Sequence, residues 1–268
     1  MEAQSRYAAT AQTPASAAKV ASRSGCHMRV AVISDIHANL PALEATAEAI
    51  RREGPDAVWC LGDVVGYGAS PNECCSWTAA HSAVCLAGNH DLGVLGTLDL
   101  SDFAGDAAAA AEWSRRVLTS DARAFLAGLG SSIVVDGVGL FHGSPRDPVW
   151  EYVLSWEAAH DAILDSGTEI TVVGHSHVPL AIPDGGPAEG GVAVGGTEVD
   201  LGGARWLLNP GSVGQPRDGD PRAAWMLLDL GSRHASFRRE LYDVARAQEA
   251  IRAAGLPDAL AERLAHGV

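Results

Sequence analysis

From Met28 onward the chain alternates short runs of β-branched and aliphatic residues with stretches of helical period. Residues 29–34 read RVAVIS, too short a run for a helix and apolar enough for a strand buried on both faces. A helix is predicted over 41–52, a second strand over 57–61, a helix over 72–80 and a third strand over 83–87. Strands separated by helices imply crossover connections and a largely parallel sheet. Helical period returns at 106–118 and 120–129. Asp136-Gly137 then stands between apolar runs at 133–135 and 139–142, the residue pair that a two-residue hairpin turn favours. A helix at 156–165 leads to another buried strand at 170–173. Beyond Pro179 come short strands broken by Gly and Pro, at 191–194, 206–208, 223–230 and 234–239, expected as antiparallel neighbours in a second sheet. Helices at 244–253 and 258–265 close the pattern. The reading is an α/β fold with two facing sheets, one domain spanning residues 28–268. Residues 1–27 are rich in Ala, Ser, Thr and Gln without an apolar stretch, and are expected to be a disordered extension.

Composition narrows the class of partner. Hydrophobic residues make up 47% and charged residues 19%, a globular balance, and no apolar run is long enough to span a bilayer. The net charge of -14, from 33 acidic and 19 basic residues, repels polyanions and argues against a nucleic-acid polymer as partner. Five cysteines (Cys26, Cys60, Cys74, Cys75, Cys85) lack the paired spacing of a zinc site and the density of a disulfide scaffold. Cys60 and Cys85 fall in strand-like runs and read as reduced core thiols, which points to a reducing cytoplasm.

Chemistry-bearing residues stand at the end of each predicted strand. The first ends in Asp35-Ile36-His37, the second in Gly62-Asp63, and the third in Gly88-Asn89-His90-Asp91. The hairpin ends in His142-Gly143, and the later strand in Gly174-His175-Ser176-His177. In open α/β sheets ligand groups gather beyond the carboxyl ends of strands, and Asp, His and Asn are all good ligands for divalent metals. In Asp35-x-His37 and His175-x-His177, residues i and i+2 of an extended segment would point to the same side and share a pocket. Taken singly, each piece has a plain alternative: a loop cap, a surface imidazole, a hydrogen-bonded core histidine. Five at successive strand ends do not.

These blocks resemble the signature of the calcineurin-like metallophosphoesterase superfamily, D-x-H, G-D, G-N-H-[D/E], H and G-H-x-H, over about residues 28–229. Segments 62–68, 143–148 and 209–217 resemble its small bacterial phosphodiesterase-like branch. The resemblance implies two mixed β-sheets packed face to face and flanked by helices. It implies two divalent metal ions (Mn, Fe, Zn, Co or Ni), one on Asp35, His37 and His177 and one on Asn89, His142 and His175, with Asp63 bridging. A hydroxide shared by the metals would attack a phosphomonoester or phosphodiester, and His90 would face the substrate as general acid or transition-state stabiliser. Two aspartates, two divalent cations and a hydroxide leave such a site at about +1, able to attract a small phosphorylated substrate to an acidic protein.

Other residues stay open between roles. Asp91 either orients the His90 ring or serves as a helix cap or turn residue. Arg146 and Arg217 either hold a phosphate or leaving group, as Asn89 also could, or pair with Asp147 and Asp218. Tyr67 either stacks on an aromatic leaving group or packs its loop, whereas Trp113, Trp150, Trp156 and Trp225 read as core or subdomain packing. His27, His81, His160, His234 and His266 lack a partner motif and read as surface or structural. The competing functions are a protein-binding scaffold on the same fold, disfavoured by the intact ligand set, and a metal-dependent nuclease, disfavoured by the charge.

Overall fold

A computed structural model describes residues 28–185 and 191–268, so the extension expected at 1–27, with His27 and Cys26, lies outside the described residues. The chain begins with β1 (Arg29–Ile33), α1 (Leu40–Glu53), β2 (Ala57–Cys60), α2 (Pro71–His81), β3 (Val84–Cys85) and α3 (Asn89–Leu95). Next come α4 (Gly105–Val117), α5 (Ser120–Ala127), β4 (Ser132–Val135), β5 (Val138–Phe141), α6 (Trp156–Ser166) and β6 (Ile170–Val173). The remainder is β7 (Leu180–Pro183), β8 (Gly191–Val192), β9 (Glu198–Asp200), β10 (Trp206–Asn209), β11 (Ala223–Asp229), β12 (His234–Glu240), α7 (Val244–Ala253) and α8 (Asp258–Glu262). No helix among the described residues is long and apolar enough to cross a membrane.

Two six-stranded mixed sheets result, ordered β3-β2-β1-β11-β12-β9 and β4-β5-β6-β10-β7-β8. β1, β2 and β3 are parallel neighbours, as are β5, β6 and β10. Period-two alternation along β1 explains the layering. Val30 and Val32 join Leu140 and Val172 of the other sheet in one core, while Ala31 and Ile33 join Ala42, Leu43 and Ile50 of α1 in another. On the far side, Phe141, Val173 and Leu207 pack on Ala159, Ala162 and Ile163 of α6. The order of layers is helix, sheet, sheet, helix.

The expectation that the late strands form the second sheet holds for β8 and β10 and is corrected for the last two. β11 and β12 join the first sheet, with β11 antiparallel to β1 from Arg29↔Asp229 to Val32↔Met226. β11 is buried along residues 223–228 because it lies centrally, between β1 and β12. Strand identity is a local property, whereas sheet membership depends on pairing across some two hundred residues. β7 and β9 were not expected, nor was α3, whose seven residues start on the Asn89-His90-Asp91 block itself. The hairpin turn is as read: Asp136 and Gly137 have φ of 50° and 80°, the left-handed pair of a tight turn.

Trp225 lies on β11 with its ring in the helix-side core and its indole N–H donated to Glu240. Trp225→Ala is expected to lower unfolding free energy by about 3–5 kcal/mol in a urea titration. A loss under about 1 kcal/mol would mean that β11 is not the spine of that sheet.

Candidate metal centre

Each ligand-bearing loop begins where a strand stops hydrogen bonding and is then fixed by its neighbour. Past the end of β1, Asp35 N donates to Gly62 O (3.0 Å) and His37 N to Asp63 O (2.9 Å), so the β1 and β2 loops advance together. In the other sheet, Gly174 N donates to His142 O at 2.9 Å. His175 N crosses between the sheets to Asp35 Oδ2 (3.2 Å). Segment 209–215 braces both sides. Asn209 Nδ2 donates to Gly174 O (2.8 Å), Ser212 Oγ to Asp35 O (2.8 Å) and Gly214 N to Asp35 O (2.9 Å).

The backbone there is left-handed. Asp35, His37, Asp63, His175 and His177 have φ between 49° and 62°, among only nine described non-glycine residues with positive φ. This corrects the extended-segment argument: Asp35/His37 and His175/His177 do share a pocket, but through left-handed turns. Each such residue costs about 1–2 kcal/mol, and the surrounding hydrogen bonds hold it. Gly88 is required for a different reason. A Cβ there would stand 2.0 Å from Asp63 Oδ1 and 2.6 Å from the His142 ring.

These turns bring the polar side chains into two buried groups that could each hold a metal ion, Asp35/His37/Asp63/His177 and Asp63/His142/His175. Asp63 belongs to both, with Oδ2 3.6 Å from His37 Nε2 and 3.6 Å from His142 Nε2. Asn89 adjoins the second group, Oδ1 lying 3.2 Å from His142 Nε2.

The hydrogen-bond pattern tests whether these residues fit a cation. His37 Nδ1 faces Val65 O (3.2 Å), His177 Nδ1 faces Gln215 O (2.6 Å) and His142 Nδ1 faces Leu61 O (2.9 Å). A carbonyl only accepts, so each Nδ1 carries the proton and each Nε2 presents a lone pair. The Nε2 atoms of His37 and His177 then oppose each other at 3.0 Å, and that of His142 opposes the Asn89 and Asp63 oxygens. Asp35 Oδ1, Asp63 Oδ2 and His175 Nε2 are buried without any hydrogen-bond partner. Acceptors crowded at such distances repel one another. The same spacing is natural around a cation, since ligands about 2.1 Å from one ion stand about 3.0–3.4 Å apart. The residues fit.

Burial sets the electrostatics. It pushes the Asp35 carboxyl up to about 7, and Asp63 upward too, with the nearby Asp91 charge adding to the effect. Burial also keeps His37 and His177 well below the ordinary histidine range, and lowers His175 to about 2. Those imidazoles are neutral and ready to ligate at physiological pH.

His90 sits beside the first group, its ring edge-on to His37 (4.9 Å) and against Tyr67 (4.4 Å), with Nδ1 unpartnered. The orienting role weighed for Asp91 is corrected. Its oxygens accept from Gly88 N (2.9 Å) and Val65 N (3.1 Å), which caps α3 and clamps the β2 loop instead. Arg217 is half-buried and donates to Tyr67 Oη (3.2 Å) and Gln215 Oε1 (3.0 Å). Its weighed partner Asp218 is bonded to Arg239 instead. Arg146 turns away toward α6, where it pairs with Glu151 and Asp161 rather than Asp147, so its guanidinium is already engaged. His81, His160 and His234 stand outside the site, against Trp77, Asp184 and Glu198.

Sequence reading missed Asn209 and Ser212 as braces, although they lie in a segment noted for its resemblance. It also missed Tyr152, stacked on His175 at 3.9 Å, whereas Trp150, read as core or subdomain packing, sets its ring against Phe103 beside His90. No spacing signal marks a lone aromatic in a loop.

A protonated carboxyl does not ligate a cation, so metal loading should weaken as pH falls through 7. Between pH 7 and 6 the charged fraction of Asp35 drops about fivefold, and Asp63 adds to the loss. Calorimetric titration of metal-free protein with manganese at pH 6, 7 and 8 measures this, and a flat affinity would contradict the Asp35 assignment.

Comparison with known proteins agrees with this geometry. Residues 28–233 match the model of the calcineurin-like phosphoesterase superfamily domain. An uncharacterised protein of Methanocaldococcus jannaschii is 37% identical over 241 residues, 88% of this chain and 96% of its own. A metallophosphoesterase from Sphaerobacter thermophilus has a similar crystal structure, with TM-score 0.83 and 36% identity over 91% of this chain and 100% of that one. A hypothetical protein from Pyrococcus horikoshii shares the fold, with TM-score 0.73 and 21% identity over 90% of this chain and 98% of that one. With a family match over most of its length and its Asp and His side chains gathered to receive a metal, the chain belongs to the calcineurin-like phosphoesterase superfamily.

Proposed function

We propose that this protein hydrolyses a small phosphomonoester or phosphodiester at a site holding two divalent ions. The observation that carries the reading is the convergence of unprotonated lone pairs from His37, His177, His142, His175, Asp35 and Asp63 on two adjoining points. Asp35, His37 and His177 would hold one ion, Asn89, His142 and His175 the other, and Asp63 both. When bound, the ions lower the pKa of water and neutralise charge on the phosphoryl oxygens.

The chain's own residues do the rest. Carbonyls of Val65, Leu61 and Gln215 fix the tautomer and direction of three imidazoles, so the ligands need little rearrangement. Arg217 is a half-buried cation without a carboxylate partner among the described residues, which suits it to a phosphoryl oxygen. The His90 ring has no carboxylate partner among the described residues that would sustain an imidazolium, and burial lowers its pKa to about 3. Of its two weighed roles, this supports donation of a neutral N–H to the transition state over general acid catalysis.

Release of phosphate or alcohol from a panel of phosphoesters, assayed with each candidate ion after metal analysis, tests the proposal. Absence of turnover across ions and esters would sink it. His90→Ala is expected to keep its metal content while turnover falls about a hundredfold or more. Unchanged turnover would remove His90 from the chemistry. Asp63→Asn should lower the occupancy of both ions in elemental analysis, and full occupancy would refute the shared ligand.

A further inference from the structure

The hydrolytic chemistry uses charge and hydrogen bonds, yet the site is ringed by aromatic rings. Aromatic residues make up only 6% of the chain. Even so, Tyr67, Phe103 and Tyr152 each lie against a histidine of the centre, and Trp150 lies against Phe103. They come from three separate loops. Phe103 has an evident packing partner beneath it, because a Cβ on Gly93 would strike its ring at 2.7 Å. Tyr152 does not. One face of its ring is stacked on His175, 3.9 Å away and tilted by 26°, and the side chain is still 47% exposed. Residues 151–154 carry no helix or strand that would need such a ring for packing.

We propose that Tyr152, stacked on His175 and exposed on its other side, forms a stacking subsite for a planar aromatic group on the alcohol side of the ester. A fixed ring with an open face beside a phosphoryl site binds a flat π-system at little cost in conformational freedom. Tyr152 is thereby a specificity-determining residue, favouring aryl and nucleoside phosphates over sugar or alkyl phosphates. The inference rests on the hydrolase reading above.

Adenosine 5′-phosphate and ribose 5-phosphate release the same kind of primary alkoxide and differ in the base, so their kcat/KM ratio isolates the subsite. The ratio is expected to be about tenfold or more in the metal-loaded protein, to fall toward one in Tyr152→Ala, and to survive in Tyr152→Phe. A parallel binding measurement uses phenylphosphonate and methylphosphonate, which are not hydrolysed, with the phenyl compound expected to bind about tenfold tighter. Equal turnover of the two phosphates overturns the subsite while leaving the hydrolase reading intact. A ratio that persists in Tyr152→Ala overturns it as well. Loss of all turnover with phosphonate discrimination retained would instead support the subsite and remove the reaction.

Discussion

Everything about the site follows from where three of its imidazoles keep their protons. Main-chain carbonyls of Leu61, Val65 and Gln215 accept the Nδ1–H of His142, His37 and His177. The opposite nitrogens are left as lone pairs in a space from which water is largely excluded. Such an arrangement is unfavourable by itself, since burial penalises each carboxylate and the acceptors repel one another. The fold tolerates it because both sheets, the left-handed turns and segment 209–215 determine the same geometry redundantly. The residues that could hold a cation are thus positioned by contacts of the protein's own.

Much of this was legible in the chain. Strands such as β1 and β6 declare themselves by apolar runs, and Asp136-Gly137 by turn chemistry, because these signals are local. Asp35, His37, Asp63, Asn89, His142, His175 and His177 were legible because each follows a strand, and strand ends in α/β sheets point loops to a shared edge. What was not legible is non-local or concerns conformation. Nothing in the residues of β11 says that it lies beside β1, and nothing in Asp-x-His says that both residues are left-handed. Asp91 illustrates the limit: its place beside His90 suggested catalysis, but its carboxylate is consumed by the Gly88 and Val65 amides. Arg146 illustrates it again, since acids five to nineteen residues further along, on its own loop and on α6, claimed it.

The two sheets contribute unequally to the centre. The first supplies Asp35, His37, Asp63 and Asn89, hence both carboxylates, and the second supplies only imidazoles. Charge is therefore concentrated on the side covered by α1 and α3, while the second sheet contributes only neutral ligands.

The brace at 212–214 has a consequence for how the molecule comes into being. By the time residue 177 has emerged from a ribosome every candidate ligand has been made. Even then the Asp35 loop lacks the hydrogen bonds that Ser212, Val213 and Gly214 give it, and β1 lacks its β11 neighbour. Assembly of the candidate metal centre in its native geometry is thus deferred until nearly the whole chain exists. Nascent protein passes through an interval in which it carries the ligands but not the site.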